Sequence, residues 1–135
     1  MFGSLDVSTS ALVAQRIRLD TIAGNIAGAQ TTRRDDGRPG PYLRRIAVFE
    51  SGDGRGGPGV HVGGIAEDPA VEKIYQPEHP DAIQSGPLKG YVNYPKIDLP
   101  TEMVNAMLAS RAYEANITAM DATKSMIAAS LRILA

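Results

Sequence analysis

The stretch EMVNAMLASRAYEANITAMDATKSM, residues 102–126, decides how the rest of the chain is read. It holds no glycine or proline, and its apolar residues recur at steps of three and four, the signature of an α-helix. With Met103 as position a of a heptad, positions a and d are Met103, Ala106, Ser110, Tyr113, Ile117, Met120, Lys124, Ile127, Leu131 and Leu134. That is a bulky seam with two polar interruptions, Ser110 and Lys124, of the kind that sets register between packed helices. The opposite face is equally telling. Positions f and c read Leu108, Ala112, Ala115, Ala119, Ala122, Met126, Ala129 and Ile133, with no charge among them. A two-stranded coil in water would place Lys, Glu or Gln there. Alanine also favours helix intrinsically, but the regular heptad step weights the pattern toward a second packing stripe. Arg111, Glu114 and Asn116 then fall on the narrow polar strips between two apolar faces, together with the seam residue Lys124 and, on the first helix, Asn25. These strips are expected to make polar contacts, not to form a catalytic patch.

Working outward, the helix is expected from about Leu99 to the end. Pro100 suits a first turn, and Glu102 lies near the positive end of the helix dipole. At 1.5 Å per residue such a helix runs ~50 Å. Residues 1–32 read as a second helix, in which Leu5, Leu12, Leu19 and Ile26 repeat every seventh position and Ile22 begins a further row with Ala29. Its other stripe reads Val7, Ser10, Ala14, Ile17, Thr21, Gly24 and Gly28, where the glycines either admit a close neighbour or let the helix fray. Between the helices, residues 33–97 hold most of the Gly and Pro, with short β-type runs YLRRIAVFE, VHVGGIA, VEKIY and YVNY. A small, irregular antiparallel unit is expected there, marginal by itself. The fold class is therefore α+β: long terminal helices (1–32 and 98–135) pairing as a coiled coil around a β-rich middle (33–97). Two helices with two apolar faces each exceed what one chain of this kind covers. The ends are accordingly expected to gain full order only among other copies, in a head-to-tail polymer of the type that open heterologous contacts generate.

Composition narrows the function. The 135 residues carry a net charge of −1, so no basic field attracts nucleic acid or an anionic membrane. There is no cysteine, hence no disulfide or thiolate chemistry. The N-terminal residues lack the basic and apolar regions of a cleaved secretory signal, and no apolar run approaches the ~20 residues needed to span a bilayer.

Three segments also resemble a known family. SALVAQRIRLDTIAGNIAGAQTT (10–32) is similar to the N-terminal motif shared by flagellar axial proteins. YQPEHPDA (75–82), GYVNYPKIDL (90–99) and the 102–126 stretch resemble the bacterial flagellar basal-body rod proteins, closest to the proximal rod FlgC family. Gly28 stands where that family usually has an asparagine, Lys96 replaces another, and IQSGPLKG lengthens the loop before Tyr91. The resemblance implies a structural subunit of the periplasmic rod, a drive shaft that transmits torque. It implies partners among copies of the chain and other rod proteins, and export by the flagellar type III apparatus without signal cleavage. It further implies terminal helices in the inner tube wall around the export channel, and no cofactor, metal or small-molecule substrate. Another axial component, such as a distal rod or adaptor protein, and a finite coiled-coil adaptor or small enzyme are the rival readings. Distal rod and hook proteins are generally longer, and the HPDA and GYV motifs favour the proximal rod.

Enzyme constellations are sparse. GDGRGG (52–57) matches G-x-G-x-x-G formally, but Pro58 and Gly59 follow it and no helix start receives a phosphate. It reads as a flexible turn. His61 lies in a strand run and His79 in a Pro-flanked loop near Glu78 and Asp81, without the dense spacing of metal ligands. No G-x-S-x-G occurs. The basic pairs in TTRRDDGR and YLRRIAVFE have acidic neighbours, and a solvated loop or an intersubunit ion pair is expected of them.

Overall fold

The computed structural model describes residues 2–34 and 40–134, the side chains of Phe2 and Leu134 excepted. In chain order the elements are α1 (Phe2–Gly28), β1 (Arg44–Ser51), β2 (Val60–Asp68), β3 (Val71–Tyr75), β4 (Tyr91–Pro95) and α2 (Leu99–Leu134). The fold is α+β, with a helix at each end and two separate antiparallel ribbons, β1–β2 and β3–β4, between them.

The two helix ends that face the middle segment have local causes. The Asp98 carboxylate accepts the Thr101 N–H at 3.1 Å and the Thr101 hydroxyl, so Asp98 caps α2 one residue before Leu99 and Pro100. Helix α1 stops at Gly28, earlier than the expected residue 32, and a turn closed by Thr31 N–H on the Gly28 carbonyl follows. The last turn of α1 meets the first turn of α2, where Asn25 bonds Glu102, and the two helices pack along each other, so they run in opposite directions. With 27 residues in α1 and 36 in α2, the far end of α2 projects ~13 Å beyond the start of α1.

Gly28 does not mark fraying. A β-carbon built there would lie 2.6 Å from two ring carbons of Tyr42, and one at Gly24 would lie 3.3 Å from the Tyr42 hydroxyl oxygen. The two glycines form a shallow slot one turn apart that receives the tyrosine. Ordinarily Gly→Ala in a helix gains about 0.5–1 kcal/mol. At Gly28 the sign is expected to reverse, with Gly28→Ala losing about 1–3 kcal/mol by overpacking. Thermal unfolding of Gly28→Ala alone, and of the same change with Tyr42→Ala, checks this, since removing the ring should return most of the loss.

The β1–β2 hairpin lies along α1. It is held at one end by Asn25 on Arg45 and at the other by Ser10, whose hydroxyl accepts the Val60 N–H at 3.1 Å. Fifteen helix residues and about seven strand residues both measure ~22 Å, so the two anchors are commensurate. The stripe Ser10, Ala14, Ile17 and Thr21 of α1, which was expected to need another molecule, is thus faced by the chain's own hairpin, where Val60, His61 and Val62 line the same cleft as Ser10, Ala14 and Ile17. A bulge between Val48 and Phe49 leaves Gly63 unpaired on β2, directly against the Glu50 side chain. The hairpin connection is the GDGRGG segment. Asp53 accepts the N–H groups of Arg55 and Gly57 at 2.7 and 2.8 Å, which holds its carboxyl below the usual range, and Gly52, Gly54, Gly56 and Gly59 all take positive φ.

The second ribbon closes the junction end. Tyr75 and Tyr91 meet edge to face at 5.3 Å, and Gly90, at φ +84°, leaves room for the Tyr75 ring. Asp81 accepts from the Thr32 hydroxyl at 2.8 Å and from Arg33 Nε at 2.7 Å, which ties the loop 76–90 to the segment after α1. The Arg33 guanidinium and the Thr32 hydroxyl hold the Asp81 carboxyl below its usual range. His79 accepts the Asp81 N–H and His61 Nδ1 meets the Gly52 carbonyl at 2.9 Å, so both histidines serve turns. The small core is spread among the elements: Ala14 and Ile22 on α1, Ala82 and Val92 at the second ribbon, and Ala109 on α2. Toward the projecting end of α2 burial is slight, and Ile133 is 85% exposed.

Candidate functional site, an assembly surface and a buried polar node

Helix α2 is the element whose surface most exceeds what the chain covers. Within the chain, its covered line runs through Glu102, Ala106, Ala109, Tyr113, Asn116, Met120, Thr123, Ile127 and Ser130. These are positions d and g, one step round from the expected a and d seam. The d residues Tyr113, Met120 and Ile127 are half-buried, whereas the a residues Met103, Ile117 and Leu131 are exposed and Leu134 lies outside the described side chains. The small-residue stripe is open: Leu108 is 55% and Met126 62% exposed, and Ala115, Ala119, Ala122 and Ala129 are exposed, with only Ala112 half-covered. On α1, Leu5, Leu12, Leu19 and Ile26 are half-buried and Ile22 is buried.

The polar residues divide. Arg111, Glu114 and Lys124 are exposed, while Asn116 folds back to donate to the Ala112 carbonyl at 2.8 Å. Asn25 belongs to no strip. It is 1% exposed, and all four hydrogen-bonding positions of its amide are used. Its oxygen accepts the Arg45 N–H at 2.7 Å and the Tyr42 hydroxyl at 3.3 Å. Its nitrogen donates to the Arg45 carbonyl at 2.8 Å and to Glu102 Oε2 at 3.1 Å. Glu102, also 1% exposed, accepts two bonds on Oε1 from Arg44, at 2.9 and 2.7 Å. The Arg45 guanidinium lies over the Tyr42 ring at 5.3 Å. Three elements, α1, β1 and α2, therefore meet in one polar node with every group satisfied.

The sequence reading missed this node. Glu102 was valued for the helix dipole alone, and Arg44 as half of a basic pair facing solvent or another subunit. Arg44 in fact pairs within the chain. Periodicity carried no signal of it, since the line that holds Glu102 also holds Asn116, Thr123 and Ser130.

Catalytic geometry is lacking around these groups. A cleft of about 440 Å³ between β3–β4 and the helix junction is lined by Ala29, Ile74, Tyr94, Pro95, Ile97 and Leu99, with Glu72 its single acid. Among the described residues no group of three His, Asp or Glu is placed to hold a metal, and no helix is long and apolar enough to cross a membrane.

Comparison with known proteins bears on what such a surface is for. The family model "Flagella basal body rod protein" matches residues 5–33, nearly all of α1, and "Flagellar basal body rod FlgEFG protein C-terminal" matches residues 88–133, β4 and α2. The flagellar basal-body rod protein FlgC of Borreliella burgdorferi is 41% identical, the alignment spanning 99% of this chain and 97% of that protein. That of Bacillus subtilis is 40% identical over 98% and 97%, and that of Salmonella typhimurium 39% over 95% and 93%. The chain belongs to the FlgC family of flagellar basal-body rod proteins. Members of this family are structural components of the basal-body rod and not enzymes, in agreement with the absence of a catalytic constellation from the sequence reading. The FlgC relatives align along the middle segment as well as both helices, so the node and the hairpin lie inside the shared region.

Proposed function

We propose that this FlgC-family chain polymerises through its terminal helices into the wall of the basal-body rod, in the periplasm, where the rod transmits torque and surrounds the export channel. In this reading residues 1–32 and 98–135 pair with each other as a coiled coil in the inner wall, and 33–97 faces outward or meets adjacent subunits. Copies of the chain and other rod proteins are the partners. The chain reaches the rod through the flagellar type III export apparatus without loss of a signal.

One observation supports this reading above the others. The Leu108–Ala115–Ala119–Ala122–Met126–Ala129 stripe of α2 is left bare by a chain that does cover the matching stripe of α1. A bare stripe of alanines admits a neighbour's backbone at short range, and a contiguous exposed apolar helix face is the mark of a surface on which something packs. Sparse burial toward the projecting end fits ends that complete their order on assembly. Deleting the gene tests the assignment: cells are expected to export early components yet build no basal body with a hook. Normal flagella in the deletion strain would refute it.

A further inference from the structure

We infer that the Asn25–Glu102–Arg44 node is the joint through which the helix pair turns the middle segment, with Asn25 as its positioning residue. The biological consequence rests on the rod reading above; the geometry does not. Asn25 holds both the N–H and the carbonyl of Arg45, as a neighbouring strand would. This fixes the register of β1 on α1. Through Glu102 the same amide is tied to α2, and through Glu102 and Arg44 α2 is tied back to β1. The three elements that would have to slip for the helices to rotate beneath the hairpin all converge on one side chain. The second anchor, Ser10 on Val60, is a single bond at the partly exposed far end of the hairpin. Between the two anchors the hairpin meets α1 through apolar packing, which resists sliding less than oriented bonds do, so the node is the joint at which directional bonds carry torque from both helices to the hairpin.

Only asparagine fits this post. Aspartate has the shape but no donors, and would set a second carboxylate beside Glu102. Glutamine places the amide one methylene further out.

The absence of cysteine from the chain makes a direct test possible. Asn25→Asp is introduced at the native locus, with and without the pair Ser10→Cys and Val60→Cys, which lie across the far anchor. In isolated basal bodies the 10–60 disulfide of the otherwise unaltered chain should form readily. Its yield should fall several-fold with Asn25→Asp, because the hairpin is no longer seated. Cells with Asn25→Asp should keep their number of hook-bearing basal bodies but swim several-fold more slowly in viscous medium. Driving the cysteine pair to full oxidation with added oxidant, which staples the hairpin to α1 by another route, should restore most of that speed. Unchanged disulfide yield in Asn25→Asp would overturn the inference, as would a staple that forms without restoring speed. Loss of the basal bodies would make Asn25 an assembly residue and overturn it too. Absence of the unaltered chain from basal bodies would instead refute the rod assignment.

Discussion

Replacing Ala119 with arginine is expected to abolish rod assembly while leaving the chain folded and exported. Ala119 is exposed on α2 and sits mid-stripe between Ala115 and Ala122. A surface change of this kind shifts the stability of a lone chain by about 0.5 kcal/mol or less, and arginine is a good helix former. In a packed stripe the same side chain meets a neighbouring backbone. Overpacking alone costs about 1–3 kcal/mol, and an unpaired charge in the contact adds several more. Every 1.4 kcal/mol is tenfold in a contact's equilibrium constant, and a polymer repeats the penalty at each copy. Electron microscopy of basal bodies, with immunoblots of exported protein, reads both halves of the expectation. Ala119→Ser, which keeps the side chain small, serves as the control and should swim normally. Normal motility in Ala119→Arg would mean that the stripe faces water.

The second large effect concerns Glu102. Glu102→Ala removes the acceptor of two Arg44 bonds and one Asn25 bond, and strands an amide N–H inside the junction. Removing one partner of a buried ion pair typically costs about 3–5 kcal/mol. Arg44 is 27% exposed and can turn partly to water, so about 2–4 kcal/mol is expected. The node joins α1, β1 and α2, so its loss is expected to appear in unfolding of the isolated chain. Urea unfolding followed by circular dichroism gives the change directly, as a shift in midpoint at unchanged slope. Glu102→Gln keeps the shape and an acceptor for Arg44, and should lose about half as much. A loss under about 1 kcal/mol in Glu102→Ala would show that water replaces the carboxylate, and that the node adds little to the junction.

Much of the architecture was legible beforehand because it rests on local rules. Helical periodicity in 102–126 and the heptad leucines of α1 placed both helices, and the four β-type runs became the four strands. GDGRGG was recognisable as a turn because positive φ suits glycine and little else. The site was legible in part. The α2 alanine stripe stood out by composition and is open in the folded chain. The covered line of α2 lies one position round from the seam, and Glu102 on that line is bonded to Asn25 of α1.

What residue order determined by itself was the set of elements, their lengths, and a surplus of apolar helix surface, since each follows from neighbours within a few positions along the chain. Family membership also followed from order alone. Tertiary structure decided which apolar stripe is covered from within and which is left exposed. It also turned Asn25, Arg44 and Glu102 from three scattered polar residues into one buried network. Those outcomes depend on groups 20 to 77 positions apart meeting at hydrogen-bond distance, and periodicity carries no information about contacts at that range.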